Sequence, residues 1–385
     1  MEYSKIAESM PASPIREMMV KAAKFDDSIS FAVGEPDFKP CEEVFDAARA
    51  SLAAHESAYS PGAGYDDLRI TYADYLSKTI NTHYSIENVI ITVGGMSALF
   101  VGMMALLNED DEVLVSAPYF SNYTQMISMC HAKTVPVDVF EENNFVLTPE
   151  AVKAKITDKT KLLLINSPCN PTGGIISETA LKELAKIAIE NDLFVISDEV
   201  YRHIIFDGLK NTSIASLPGM KERTLIIDSC SKTFAMPGFR VGFATGPEKW
   251  IKLMIKLVEG IYSAVPDATQ RAAVSAFKYG MAYCEEMRIE YQRRRDYIYE
   301  HLKNVKGLSC IKPSGAFYFY VNIKDTGLSA EEFSSRLFDE KHVAVVPGTN
   351  FGASLGSSYI RISYATSMDN IEKGISRIID FCSHL

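Results

Sequence analysis

At 385 residues, with 47% hydrophobic and 23% charged residues, the chain has a globular composition, which excludes a disordered or fibrous protein, and it is long enough for a large domain and a smaller one. A formal net charge of −10 repels nucleic acid and anionic membrane, which are bound through Lys and Arg, so a small molecule is the expected partner. The seven cysteines (Cys41, Cys130, Cys169, Cys230, Cys284, Cys310 and Cys382) are scattered, odd in number and without metal-ligand spacing, which points to a reducing cytoplasm and to no metal site.

The N-terminus, Met1 to Lys5, lacks the charged-then-apolar pattern of a signal peptide, and the longest apolar run, Ala98 to Leu107, is about half a membrane span. Short apolar runs then read as buried parallel strands: Val89–Val93, Val113–Val115, Leu162–Ile165, Leu193–Ile196, Leu225–Ile227 and Val241–Ala244. Helical spacing separates some of them, most clearly over Ser177–Asn191, where Leu181, Leu184, Ala185 and Ala188 share a face and Ser177 caps the first turn. This alternation predicts an α/β sheet. From about Val265 the pattern changes to long helical stretches, charged over Tyr291–Leu302, followed by short strands at Ala316–Val321 and Tyr359–Ser363. The expected division is an N-terminal arm over residues 1–40 that crosses back to the small domain, a large domain over 41–275 and a small α+β domain over 276–385. The one basic cluster, Arg293-Arg294-Arg295, lies among Glu285, Glu286, Glu290 and Asp296 and is expected to be a solvated or interface helix face.

In an open α/β sheet, ligands bind beyond the carboxyl ends of the strands. Candidate residues fall there five times in order: Gly94-Gly95, Tyr119-Phe120, Asn170, Asp198 and Lys232. Lys232 lies in Ser229-Cys230-Ser231-Lys232, with Arg240 eight positions later, a pattern that suits a Schiff-base lysine beside groups that hold a phosphate. A lysine amine forms an imine with an aldehyde cofactor such as pyridoxal phosphate, which also needs a carboxylate opposite its ring nitrogen. Asp198 is the candidate carboxylate, and Tyr201 can donate to the ring oxygen; alone, Asp198 also reads as a helix N-cap. Asn170-Pro171-Thr172-Gly173-Gly174 is first a turn, with a second role for Asn170 as an amide donor to cofactor and substrate. Gly94-Gly95-Met96 opens a helix whose N–H groups can cradle phosphate, or makes only a tight strand-to-helix turn. Ser229, Ser231 and Arg240 can add side-chain contacts to that phosphate. Phe120 and Tyr119 offer an aromatic face or are simply core. Arg361 shares a strand face with Tyr359 and Ser363 and is either solvated or a bidentate clamp on a substrate carboxylate.

These residues together resemble the fold type I pyridoxal-phosphate enzymes, and more narrowly the class I/II aminotransferases of the aspartate and aromatic kind. The likeness spans nearly the whole chain, from Gly34-Glu35-Pro36-Asp37-Phe38 through Tyr59-Ser60-Pro61 and Gly64 to Arg361. It implies a mostly parallel seven-stranded sheet flanked by helices in the large, cofactor-binding domain, and a small α+β domain that closes over substrate. It also implies an amino group moved from an L-amino acid (aspartate, aromatic or similar) to a 2-oxo acid by a ping-pong route, with Lys232 as the Schiff-base residue and proton carrier. By the same resemblance Asp198, Tyr201 and Asn170 tune the ring, Gly95, Met96, Ser229, Ser231 and Arg240 hold phosphate, and Phe120 stacks. Arg361 and the Gly34 backbone take the α-carboxylate, and Tyr59 reaches the phosphate of a neighbouring subunit in a homodimer. Two positions depart from the family pattern: Gly94 and Met96 replace the usual Ser and Thr, and Phe120 replaces a tryptophan, which should weaken stacking.

The same site chemistry can eliminate a β-substituent, so a cysteine-S-conjugate β-lyase is the alternative activity. A non-catalytic ligand sensor would carry an added DNA-binding segment, for which about forty residues ahead of the core leave no room. Ile15, Arg16 and Tyr65 are candidates for the substrate side-chain pocket by position alone.

Overall fold

In the computed structural model, which describes residues 3–10, 18, 20–55, 58–352 and 354–385, thirteen strands form three sheets. They are β1 (Ile29–Ser30), β2 (Val89–Thr92), β3 (Glu112–Ala117), β4 (Lys133–Asp138), β5 (Thr160–Asn166), β6 (Phe194–Asp198), β7 (Thr224–Ser229), β8 (Gly242–Thr245), β9 (Ser309–Cys310), β10 (Tyr318–Asn322), β11 (Val343–Ala344), β12 (Val346–Pro347) and β13 (Tyr359–Ser363). The largest sheet has seven strands in the order β2-β8-β7-β6-β5-β3-β4. Its central strands are apolar on both faces because helices cover both sides, as a parallel sheet requires.

The run Val241–Ala244, expected to be parallel, belongs to β8, which is antiparallel to both of its neighbours. The segment from β7 to β8 holds only the short helix Cys230–Thr233 and a 3-10 turn, so the chain reverses at one end of the sheet and makes no crossover. The edge strand β4 was not legible as an apolar run: it is Lys-Thr-Val-Pro-Val-Asp and pairs on one side only, where Pro136 removes no needed donor. The helix expected over Ser177–Asn191 spans Glu178–Glu190, with the Ser177 side chain accepting from the Ala180 N–H.

The second sheet runs β12-β13-β10-β9, all antiparallel, and β1 pairs parallel with β11. β10 begins at Tyr318, two residues later than the apolar pattern suggests, because Ala316 holds a left-handed φ of 54°. Ile29 and Phe31 share one buried core with Met287, Tyr291 and Ile298 of helix Met281–Leu302 and with Ile371, Ile375 and Ile378 of helix Met368–Ser383. Tyr201, Ile204 and Phe206, just beyond β6, enter the same core, so the two parts share packing.

The arginine cluster is not a solvated face. Arg294 and Arg295 are buried, and only Arg293 is exposed. Arg295 donates to both carboxylate oxygens of Asp207 (2.7 and 2.8 Å) and to the Pro313 carbonyl, while Arg294 reaches Asp37 at 2.7 Å. A guanidinium tolerates such burial because each one is matched by carboxylates. Among the described residues no helix is long and apolar enough to cross a membrane.

Candidate active site

Strand ends place the site. Thr92 ends β2 directly before helix Gly94–Met104, Ala117 ends β3 ahead of Phe120, and Asn166 ends β5 ahead of Asn170. Asp198 ends β6, and Ser229 ends β7 and caps helix Cys230–Thr233, which carries Lys232. Gly34, Tyr318 and Arg361 face these ends from the smaller part, and a cavity of about 230 Å³ lies between. Its lining includes Gly34, Gly95, Met96, Phe120, Asn170, Asp198, Tyr201, Ser229, Ser231, Lys232, Arg240 and Arg361 of the candidates chosen from the sequence, but not Gly94, Tyr119, Tyr59 or Tyr65.

At one pole is a carboxylate. Asp198 is 4% exposed, accepts a 2.6 Å hydrogen bond from the Tyr123 hydroxyl and a longer one from the Val200 N–H, and among the described residues has no cation bonded to it. Burial pushes its pKa up to about 6. Asn166 braces the same strand end: its amide donates to the Asp198 carbonyl, and its Oδ1 accepts from the Asn170 N–H at 2.8 Å.

Beside it is an amine. Lys232 Nζ donates to the Gly34 carbonyl at 2.6 Å, and burial lowers its pKa to about 8, so near neutral pH a useful fraction is the nucleophilic free base.

An anion cradle forms the second pole. Gly94 and Gly95 open helix Gly94–Met104, Gly95 lines the cavity, and the Arg240 guanidinium sits beside Gly94. Gly94 has φ 75°, a left-handed backbone that favours glycine, and a Cβ there would lie 2.4 Å from Arg240 Nη2, which an exposed arginine side chain could relieve by shifting. Ser229 is largely committed: its hydroxyl accepts from the Ser231 N–H and faces the Val241 carbonyl and the Ser231 hydroxyl, which leaves Ser231 as the freer donor. Met96 and Phe120 supply apolar wall, with Phe120 edge-on to Tyr123 at 5.5 Å.

The third pole is Arg361, 1% exposed on β13. Its Nη1 donates to Asn170 Oδ1 at 3.1 Å and its Nη2 to the Ala32 carbonyl at 2.5 Å. The guanidinium carbon lies 4.7 Å from the Tyr318 ring centroid and 5.0 Å from that of Phe351. Accepting from Arg361 commits the Asn170 Oδ1 and leaves its amide nitrogen as the donor of that side chain. The Tyr201 hydroxyl is 2.8 Å from that of Tyr318.

Beneath the floor, Arg202 joins Glu199 (3.1 Å) to Asp228 (3.4 Å), all three buried. Tyr72 donates to Asp228, and Ser197 and Ser213 donate to Glu199. One guanidinium thereby ties the ends of β6 and β7, the strands that carry Asp198 and Ser229.

Tyr59 is 92% exposed and lies apart from the cavity of its own chain, beside Ser60, Val265 and Asp267. Tyr65 is also outside the cavity, its hydroxyl donating to Asp267 at 2.8 Å, and Ile15 and Arg16 lie outside the described residues. Sequence reasoning missed Tyr123, Asn166 and Tyr318. Tyr123 follows Phe120 by three residues at the start of helix Asn122–Met129, a strand-end position of the kind already favoured, but nothing local tells a buried hydroxyl from core.

The donor set fits pyridoxal phosphate: for a protonated ring nitrogen, a buried carboxylate without a cationic partner among the described residues; for an aldehyde, an amine of lowered pKa; and for an anion, a helix terminus with an arginine.

The family model described as aminotransferase class I and II matches residues 26–378. The chain is 42% identical to an aspartate aminotransferase of Pyrococcus abyssi, covering 95% of this chain and 94% of that one. It is 39% identical to an aromatic-amino-acid aminotransferase of Thermococcus litoralis, covering 98% and 97%. The solved structure of the Thermus thermophilus aspartate aminotransferase with maleate is similar with a TM-score of 0.94 at 34% identity, covering 99% of each chain.

Proposed function

The chain belongs to the class I and II aminotransferases and is a pyridoxal-phosphate-dependent transferase, and from that premise we propose residue roles for the site. The observation that carries them is one cavity lined by an amine, a buried carboxylate and a buried guanidinium. When bound, the cofactor supplies an aldehyde for a lysine amine and an electron sink for charge developing at the substrate Cα.

Lys232 is the nucleophile and afterwards the base that carries the substrate α-hydrogen, its lowered pKa matching that task near neutral pH. Asp198, held in place by Tyr123, would sit opposite the ring nitrogen of the cofactor and keep it protonated. Tyr201 and Asn170 would donate to the ring oxygen. The Gly95 and Met96 backbones and Ser231 with Arg240 would hold the phosphate, Ser229 shaping that loop, and Phe120 would cover one ring face. Arg361 takes the substrate α-carboxylate as a fork, and the Gly34 backbone borders the same corner. Residues 41–275 act as the cofactor-binding body, while 276–385 with 1–40 act as the cap, a division supported by the core that Ile29 and Phe31 share with the C-terminal helices.

A homodimer in which Tyr59 reaches the partner's phosphate is supported by that ring's near-complete exposure away from its own cavity. A cytoplasmic setting fits seven cysteines that are all unpaired. The test is a visible spectrum of the loaded enzyme during addition of single amino acids with no 2-oxo acid. Loss of the yellow colour with one equivalent of 2-oxo acid and no ammonia is expected. Pyruvate with ammonia from a β-substituted cysteine would overturn it in favour of elimination.

A further inference from the structure

We propose that Tyr318 is a positioning residue that orients the Tyr201 hydroxyl through its own hydroxyl and the Arg361 guanidinium through its ring. The inference rests on the cavity roles given above. On the antiparallel pair β10–β13, Tyr318 stands opposite Ser363 and so lies diagonal to Arg361 on the same face, within reach of an aromatic ring. The guanidinium lies over that ring at 4.7 Å, and the ring is 1% exposed, so it has no freedom to leave.

The hydroxyl end has equally little room. It is 2.8 Å from the Tyr201 hydroxyl, and the two rings meet edge to face at 84°. On the other side, a Cβ on Gly34 would lie 2.1 Å from Tyr318 Oη. Gly34 does not hold a left-handed φ, so glycine is there for room. Each phenol carries one hydrogen. If Tyr201 aims its hydrogen into the cavity, the hydrogen shared between the two oxygens must come from Tyr318. The donor order is therefore Tyr318 to Tyr201 to the acceptor in the cavity, and Tyr318 acts through Tyr201 and Arg361.

Tyr318→Phe removes the hydroxyl and keeps the ring, whereas Tyr318→Leu removes both. The readouts are the pH midpoint of the visible absorbance of the pyridoxal-phosphate-loaded enzyme, and the binding of α-methyl-L-aspartate and α-methyl-L-tyrosine, which carry an α-carboxylate but no α-hydrogen. A donor to an anionic ring oxygen stabilises the deprotonated form. Tyr318→Phe should therefore raise the midpoint by about 0.5–1 unit, and should add no shift in a Tyr201→Phe background. Its affinity for the α-methyl amino acids should stay within about twofold, while Tyr318→Leu should weaken that binding by roughly 3–30-fold. An unmoved midpoint in Tyr318→Phe, the same shift without the Tyr201 hydroxyl, or equal carboxylate affinity in the two variants would overturn the proposal. A wild-type protein that stays colourless with pyridoxal phosphate would remove the cavity reading itself, and this inference with it.

Discussion

Replacing Arg361 by lysine keeps the charge and removes the fork. The guanidinium spends Nη1 on Asn170 and Nη2 on the Ala32 carbonyl and lies against two rings, at 4.7 Å from Tyr318 and 5.0 Å from Phe351. A lysine ammonium reaching the same place can satisfy one of these acceptors, but it cannot do so while also offering two parallel donors to a carboxylate. One charge-assisted hydrogen bond to substrate is then lost, about 1.5–3 kcal/mol, or roughly 10–150-fold in affinity. The α-carboxylate does not change in the reaction, so the interaction is the same in ground and transition states and its loss belongs in KM. Steady-state kinetics of Arg361→Lys with aspartate, alanine and tyrosine should show KM raised by that factor for all three. Meanwhile kcat should stay within a few-fold and pyridoxal phosphate affinity should be unchanged. A KM within twofold of wild type for every amino acid, or a loss confined to one side chain, would refute the assignment of Arg361 to the shared carboxylate.

In the cofactor-free protein Asp198→Asn should be stabilising near neutral pH. The native carboxyl titrates at about 6 against an ordinary 3.8, so the folded state binds more protons between these values and stability falls as pH rises through them. The asparagine lacks that loss, so thermal melts should separate the two proteins above pH 6 and bring them together below pH 4; added pyridoxal phosphate should reverse the order at pH 7.5. Arg202→Met leaves Glu199 and Asp228 buried without their cation and should cost about 3–5 kcal/mol in urea unfolding, and a change under 1 kcal/mol would mean the cluster is not ion-paired in solution. Mixing inactive Lys232→Ala with weakened Tyr59→Phe should yield hybrid dimers with one intact site, so kcat/KM should rise on mixing; no rise at concentrations that exchange subunits would argue against a shared site.

What could be read from the sequence was whatever chain-local chemistry decides. Ser177 announced its helix because a cap is a contact three residues long, and Lys232 with Arg240 stood out because a short loop must hold both. β4 escaped notice because an edge strand with Pro136 has no apolar run, and the direction of β8 because periodicity carries no sign. The burial of Arg295 depends on Asp207, 88 residues away, and Tyr123 on Asp198, 75 residues away, so neither pairing leaves a local trace. The substrate corner is the extreme case, since Ala32 and Arg361 are 329 residues apart.

That separation bears on biosynthesis. Residues 29–34 leave the ribosome long before residue 343, so β1 has no strand to pair with until β11 is made, and the Ala32 carbonyl waits for Arg361. The seven-stranded sheet can form while the leading segment is still unpaired, so the substrate corner is completed last. Closing so long a loop is entropically slow, and through that interval Phe31, which is fully buried in the finished protein, stays in water. A ribosome stalled before Val343 would therefore display a sticky leading strand, and chaperone capture of the nascent chain should fall once β11 has emerged.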